Sequence, residues 1–189
     1  MREEFNGETH NLRDFKAQVK LQSIVNEKVG VLSLSKRVIS SLMWSHYGES
    51  HEGYAIGFDE SHDFFKPPPT YRSEIPLGIL KEVDYVTERP LIEDGNINDG
   101  GISSLFKKST DWAYEEEIRM ISPLRLCKSI NEKLFVRQFP KEIIKEIVFG
   151  IKCKQETQER IKRALSDCDI KYRLAVPSSV NYDMLVTDL

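Results

Sequence analysis

Hydrophobic and polar positions alternate most clearly over residues 112–121, in the run W-A-Y-E-E-E-I-R-M-I. A strand places alternate side chains on opposite faces, which puts Ile118 and Met120 on a side that suits a hydrophobic core. The opposite side then carries two carboxylates and one guanidinium group, those of Glu115, Glu117 and Arg119. This polar side suits either a salt-bridged surface or a polar site.

The rest of the chain shows the same two periodicities. Helical spacing predicts helices over residues 12–27, 38–47, 102–108 and 154–167, with Ser35 as the cap of the second helix. β-rich runs predict strands over residues 29–34, 53–59, 79–86, 134–139, 143–149, 170–176 and 182–186. Proline-rich residues 60–76 predict a loop with one short helical turn at residues 63–66, and acidic, Gly- and Asn-rich residues 88–101 predict a mobile surface loop.

Strands and helices follow one another without a regular βαβ rhythm. This favours an α+β fold, with a mixed, mostly antiparallel sheet of about six to eight strands flanked by short helices. We expect residues 1–28 to form an N-terminal helical segment and residues 29–189 to form a single α+β domain.

Composition narrows the class of protein. Hydrophobic residues make up 40% and charged residues 30%, which indicates a globular rather than a disordered chain. A net charge of -3 gives no general electrostatic argument for binding nucleic acid or an anionic membrane, although a local basic groove stays open. The three cysteines are widely spaced without a C-x-x-C pair, and the chain has no apolar signal region, so we expect a cytoplasmic, bacterial protein with no membrane partner.

Two specific motifs and one weaker motif stand in a defined order. Residues 44–58 contain W-x-H-Y followed by H-x-G-x-x-I-x-F, and residues 112–119 read W-x-Y-E-x-E-x-R. The weaker motif joins Phe139-Pro140 to E-I-V-F-G at residues 146–150. In order and spacing these motifs resemble the bacterial domain-of-unknown-function family 2971, over about residues 29–186.

This resemblance implies a shared fold, and the family name states no function. Members usually open with a segment that contains Asn-Asp-Pro-Phe, a tetrapeptide that this sequence lacks. Either the chain is a shortened member or its N-terminal helix replaces that part.

The E-x-E pair at Glu115 and Glu117 has two interpretations. One is an ion-pair network along a strand. The other resembles ADP-ribosyltransferases, in which a glutamate on a strand stabilises the oxocarbenium-like charge that develops as nicotinamide leaves NAD. In that interpretation Glu117 is the catalytic acid, Glu115 orients the acceptor, and NAD is the substrate.

The histidine and aromatic residues also leave alternatives open. His46 suits either a core histidine bonded to the backbone or a nucleotide site, with stacking from Tyr47 or Trp44 and polar contacts from the imidazole. A metal site would use His46 and His51 with Glu52 or Asp59, although no H-E-x-x-H motif is present. Lys36 and Arg37 suit either phosphate binding or a solvated face.

These observations predict one cleft, where the C-terminal part of the 38–47 helix and the 53–59 strand meet the 112–121 strand. The candidate catalytic residues are Glu117 and Glu115, with no metal ligand. The candidate substrate-binding residues are Trp44, His46, Tyr47, His51, Tyr114 and Arg119. Two functions remain: an enzyme acting on a nucleotide by ADP-ribosyltransferase-like glycosyl transfer, and a non-catalytic binding or regulatory module in stress or phage defence.

Overall fold

A computed structural model gives the structure of the chain at residues 19, 23, 27–67, 78–88, 100–131 and 134–189. The predicted helix over 12–27 lies mostly outside these residues, although Val19, Ser23 and Glu27 are helical. Most of the predicted 88–101 loop also lies outside them. No helix among the described residues is long and apolar enough to cross a membrane.

Eleven strands lie within the described residues, and most of them are short. In chain order they are β1 Val29–Ser35, β2 Tyr54–Phe58, β3 Leu80–Glu82, β4 Asp84–Val86, β5 Lys107–Ser109, β6 Glu117–Pro123, β7 Lys128–Ser129, β8 Phe135–Val136, β9 Ile144–Gly150, β10 Lys171–Pro177 and β11 Met184–Asp188. The described residues after Val29 also include the α-helices α1 Ser41–His46, α2 Gly100–Ser104 and α3 Gln155–Ala164. Short 3-10 helices cover Asp63–Phe65, Thr110–Glu115, Leu124–Leu126 and Lys141–Ile143.

The strands form two main sheets and two small pairs. The three-stranded sheet has the order β1-β6-β3 and is antiparallel throughout. The four-stranded sheet has the order β11-β10-β9-β2, in which only β9 and β10 run parallel. The α+β prediction is confirmed, but the predicted single sheet of six to eight strands is divided into these separate sheets.

The largest difference from the predicted elements lies over residues 110–116. The predicted strand at residues 112–121 begins only at Glu117, because Thr110–Glu115 forms a 3-10 helix. The Ser109 hydroxyl accepts a hydrogen bond from the amide of Asp111 and caps this helix. Glu116 ends it in the left-handed conformation at φ 43°. This turn redirects the chain into β6, so Glu115 and Glu117 do not share a strand.

Other boundaries also differ. The helix predicted over 102–108 is Gly100–Ser104, with a strand from Lys107, and the strand predicted over 134–139 is only Phe135–Val136. The strand predicted over 79–86 splits at Val83, whose amide bonds to the carbonyl of Glu117, so that β3 joins β6 and β4 joins β5. The helix predicted over 38–47 begins at Ser41, because Ser40 rather than Ser35 provides the cap. Ser35 instead ends β1 and donates its hydroxyl to the Glu115 carbonyl at 2.6 Å.

The core lies on both faces of the four-stranded sheet and extends to the other sheet. Beneath α1, one cluster joins Trp44 to β9, β10 and β11 through Val148, Ala175 and Met184. On the other face, Ile147 and Phe149 pack under α3. A third cluster, Phe65, Met120 and Ile143, brings the three-stranded sheet against the chain that enters β9. These clusters set the spacing between the two sheets.

Candidate functional site

The strand β6 carries an ion pair on the face away from Ile118. Arg119 holds Glu117 in a bidentate arrangement, with Nε to Oε1 at 2.7 Å and Nη2 to Oε2 at 2.9 Å. The cross-strand register of β1 and β6 places Ser33 opposite Arg119 and Ser35 opposite Glu117 on the same face. Glu117 is buried, so its charge needs these partners.

Lys108 joins the two glutamates. Its Nζ contacts a carboxylate oxygen of Glu115 and lies 3.2 Å from Oε2 of Glu117. Together Lys108, Glu115, Glu117 and Arg119 form what we call the charge cluster. Two cations balance two buried carboxylates, which is the arrangement that a buried ion-pair network requires.

The protonation of the charge cluster follows from these contacts. Burial by itself would raise the pKa of the Glu117 carboxyl, but hydrogen bonds from Arg119, Ser33 and Lys108 together outweigh it and hold that pKa below its usual value. Burial would lower the pKa of Lys108, and its hydrogen bonds to both glutamates instead raise it. Glu117 and Lys108 are therefore both charged at neutral pH.

Tyr47 connects the charge cluster to the rest of the site. Its hydroxyl donates to Oε1 of Glu115 at 2.9 Å, while its side chain remains 61% exposed. Burial of the hydroxyl, followed by the bond to Glu115, raises the pKa of Tyr47. The phenol end is thus fixed and the ring is open to solvent.

Three further rings continue from Tyr47 along the surface. The ring of His46 lies 6.3 Å from that of Tyr47 and 6.5 Å from that of Tyr114, and Tyr114 lies 6.0 Å from Trp112. The Nζ of Lys108 lies 4.9 Å from the Trp112 ring centroid, in a cation–π contact. We call the four ring-bearing residues Tyr47, His46, Tyr114 and Trp112 the aromatic row.

His51 lies apart from the aromatic row, in a tight loop between Gly48 and Gly53. Its ring stacks on Trp44 at a centroid distance of 6.5 Å, and its Nδ1 is buried with no hydrogen-bond partner among the described residues. Residues 49, 50 and 51 all have positive φ values, of 49°, 54° and 72°. Trp44 itself is buried and donates its indole N–H to the Val38 carbonyl at 2.7 Å. Both residues pack against their neighbours here, and Trp44 also lines the cavity described next.

A cavity of about 540 Å³ lies between the two main sheets, and we call it the inter-sheet cavity. The three-stranded sheet contributes Leu34, Leu80 and Ile118 to its wall. Every residue of β2 also lines it, from both faces of that strand, so the cavity runs along the edge of β2. Its lining also includes Tyr47, Lys36 and Arg37.

The charge cluster and the cavity lie on opposite faces of β6. Ile118 lines the cavity, and its neighbours Glu117 and Arg119 point the other way because strand side chains alternate. Tyr47 belongs to both places, since it lines the cavity and bonds to Glu115. Of the two glutamates, Glu115 is therefore the one that a residue of the cavity wall contacts directly.

The sequence motifs alone did not identify Lys108 as a member of the site. It lies seven residues before Glu115, and no periodicity relates these positions once the 3-10 helix intervenes. The motifs also did not identify Tyr85, whose hydroxyl accepts a hydrogen bond from the Glu117 amide at 2.8 Å. Among the described residues, no three His, Cys, Asp or Glu side chains are grouped as a metal ion would require.

The fold and site define an α+β protein with a cavity between two sheets and a buried charge cluster beside it. Residues 43–120 match the family model described as "Protein of unknown function (DUF2971)". Residues 43–120 are therefore similar to this family, and the resemblance predicted from the motifs is confirmed over these residues. No curated protein and no solved structure matches the chain.

Proposed function

We propose that the protein binds a nucleotide in the inter-sheet cavity, with the base against Tyr47 and the phosphate at Lys36 and Arg37. The observation that carries this proposal is the state of Tyr47. An exposed aromatic ring whose hydroxyl is anchored to a buried carboxylate loses little further freedom when a ligand stacks on it. It is therefore preorganised for a flat ligand.

The dimensions of the cavity suit this class of ligand. Its volume of about 540 Å³ lies within the range of roughly 300–1,000 Å³ typical of small-molecule sites. Because β2 pairs with β9 on one side only among the described residues, backbone groups on its other edge are open to the polar edge of a base.

Both cations at the cavity are paired with carboxylates. Lys36 bonds to the exposed Glu82 at 2.6 Å, and the half-buried Arg37 contacts Asp183 at 3.0 Å and Glu116 at 3.5 Å. An exposed ion pair contributes only about 0–1 kcal/mol, so a phosphate can replace Glu82 at Lys36 at small cost. Arginine also binds phosphate in a bidentate manner.

Calorimetric titration with AMP, ATP, NAD and adenosine tests the proposal. We expect AMP to bind at least about tenfold more tightly than adenosine, because a charge-assisted hydrogen bond contributes about 1.5–3 kcal/mol. Tyr47→Ala should lower AMP affinity about tenfold, given roughly 1–3 kcal/mol for stacking of one base. Tyr47→Phe keeps the ring but loses its anchor to Glu115, so its AMP affinity should lie between that of Tyr47→Ala and that of the wild type.

A second variant controls for general effects of losing a surface tyrosine. Tyr182 is 98% exposed, so Tyr182→Ala should bind AMP like the wild type. Absence of binding by every nucleotide tested, or equal losses in Tyr47→Ala and Tyr182→Ala, would contradict the proposal.

Glycosyl transfer from NAD is a second candidate, favoured by the contact between Glu115 and Tyr47. In this reaction the bond between ribose C1′ and the nicotinamide nitrogen breaks, and nicotinamide leaves with the electron pair. An acceptor oxygen then bonds to C1′ and releases its proton to solvent, while a nearby carboxylate stabilises the developing positive charge. Glu117 as the catalytic acid stays a prediction. Both of its oxygens bind Arg119 and Lys108, just as both oxygens of Glu115 bind Tyr47 and Lys108, so hydrogen bonding does not separate the two glutamates.

Chromatographic measurement of nicotinamide release separates the two glutamates. If Glu115 is the catalytic carboxylate, Glu115→Gln abolishes release while Glu117→Gln, once shown to be folded, retains part of it. The opposite order would assign catalysis to Glu117. If the wild-type protein binds NAD but releases no nicotinamide, the glycosyl-transfer hypothesis is rejected and the hypothesis of a non-catalytic binding module is retained.

A further inference from the structure

We propose that the ligand continues out of the inter-sheet cavity as a single strand of nucleic acid, whose successive bases stack on the aromatic row. This inference rests on the proposed nucleotide site and extends it from one nucleotide to several. The first base stacks on Tyr47, and each additional base stacks on one of the rings that follow it in the row, those of His46, Tyr114 and Trp112.

The geometry of the aromatic row provides the first argument. Adjacent ring centroids are separated by 6.3, 6.5 and 6.0 Å, so the four rings form one continuous series. Their interplanar angles are 64°, 33° and 37°, which means that the rings do not stack on one another. The rings therefore do not cover one another's faces by parallel stacking, and Lys108 Nζ lies over one face of Trp112.

Exposure provides the second argument. Tyr47 and Trp112, at the two ends of the row, are 61% and 39% exposed, and His46 is exposed between them. Large aromatic residues stabilise a protein when they are buried, so a row of them left at the surface marks a binding surface. Single-stranded nucleic acids are bound on such rings because every base has a π-face.

Continuity with the cavity selects this occupant. Tyr47 lines the cavity and also begins the row. A strand whose terminal phosphate lies at Lys36 and Arg37 therefore passes directly onto the rings. A double helix would keep its bases stacked inside and would present mainly phosphates, which this chain of net charge -3 is poorly suited to bind.

The charges near the row predict a distinctive salt dependence. Among the described residues, the cations at the cavity and the row are Lys36, Arg37 and Lys108, and each is already paired with a carboxylate. At most three phosphates can be neutralised there, which limits the slope of log K against log salt to about -2. Stacking rather than phosphate contact should supply most of the affinity.

Titration with oligothymidylates of one, two, four and six nucleotides tests the proposal. The chain has two tryptophans, and Trp44 is buried but lines the cavity, so a mononucleotide can quench Trp44 while further quenching by longer strands reports a base on Trp112. We expect affinity to rise at least about tenfold from one to four nucleotides, with further quenching by the longer strands that Trp112→Phe abolishes. Trp112→Ala should weaken the tetranucleotide about tenfold and leave the mononucleotide unchanged.

Two controls keep the result interpretable. Trp112→Phe keeps a ring at the position and should retain most of the tetranucleotide affinity, and Tyr182→Ala should behave like the wild type. Equal affinity for one and four nucleotides would overturn the extended strand and leave the nucleotide site standing. Absence of binding at every length would overturn both. A length-dependent gain with cello-oligosaccharides and none with oligothymidylates would assign the row to a glycan and overturn this proposal.

Discussion

The hydroxyl of Tyr47 donates a 2.9 Å hydrogen bond to the carboxylate of Glu115, 68 positions later in the chain. Tyr47 follows α1, whose Trp44 packs against the four-stranded sheet. Glu115 leads into β6, the central strand of the three-stranded sheet. This bond therefore connects the two halves of the fold and positions an exposed ring at the cavity between them.

Lys108→Met should destabilise the protein by about 3 kcal/mol, because it leaves two buried carboxylates with one cation fewer. Urea unfolding followed by circular dichroism measures the free energy of unfolding. Lys66→Met is the matched control, since Lys66 forms an exposed pair with Asp63 and should cost less than about 1 kcal/mol. Equal, small losses in the two variants would mean that the charge cluster is screened by solvent.

The stability of the protein should fall in acid partly through Glu117. Its folded-state pKa lies below the usual value of 4.5, so its ionised form stabilises the fold. That contribution is fully present above about pH 4.5 and is lost as the pH falls through the folded-state pKa. Unfolding free energies measured from pH 7 to pH 3 should show wild type and Glu117→Gln converging in acid. A constant difference across this range would contradict the assignment.

Two glycines are required for different reasons. A Cβ at Gly57 would lie 2.5 Å from the side-chain Cγ of Glu146, and one at Gly150 would lie 2.2 Å from the carbonyl oxygen of His51. Gly57→Ala should destabilise by about 1–3 kcal/mol, and Glu146→Ala should remove most of that loss. At Gly150 the added Cβ would clash with the backbone of His51, which cannot move aside like a side chain, so Gly150→Ala should lower the free energy of unfolding by more than Gly57→Ala does.

Thermal or urea unfolding of both single variants, and of each combined with Glu146→Ala, measures these couplings. Rescue of Gly57→Ala alone is the expected pattern. If Glu146→Ala rescues neither glycine variant, the contact between Gly57 and Glu146 does not limit that position.

The sequence was sufficient to predict elements whose signal is local. Alternation identified β1, β2 and the buried side of β6, and helical spacing identified α3. It was insufficient where a polar side chain competed with the periodic pattern. Where the first part of the 112–121 strand was predicted, the chain instead forms a 3-10 helix that Ser109 caps and that ends in a turn at the left-handed Glu116.

The candidate site was predictable to a similar degree. The two motifs supplied the candidate residues, and the structure brings Tyr47 to Glu115 as the predicted cleft required. The position of Lys108 could not be predicted, because it depends on the register between β4 and β5 and on the path of the 3-10 helix. The division of the strands into two sheets, which creates the cavity, depends on long-range pairing that no single motif encodes.

The central claim is that a nucleotide occupies the cavity between the sheets, and mapping of backbone amide NMR shifts during titration with AMP tests it most directly. The account predicts that the largest shifts fall on Leu34, Tyr47, Ala55, Gly57 and Ile118, which line the cavity from both sheets. It also predicts unchanged amides around Tyr182. Saturating AMP that leaves the cavity amides unmoved, or shifts that gather at another surface, would contradict it.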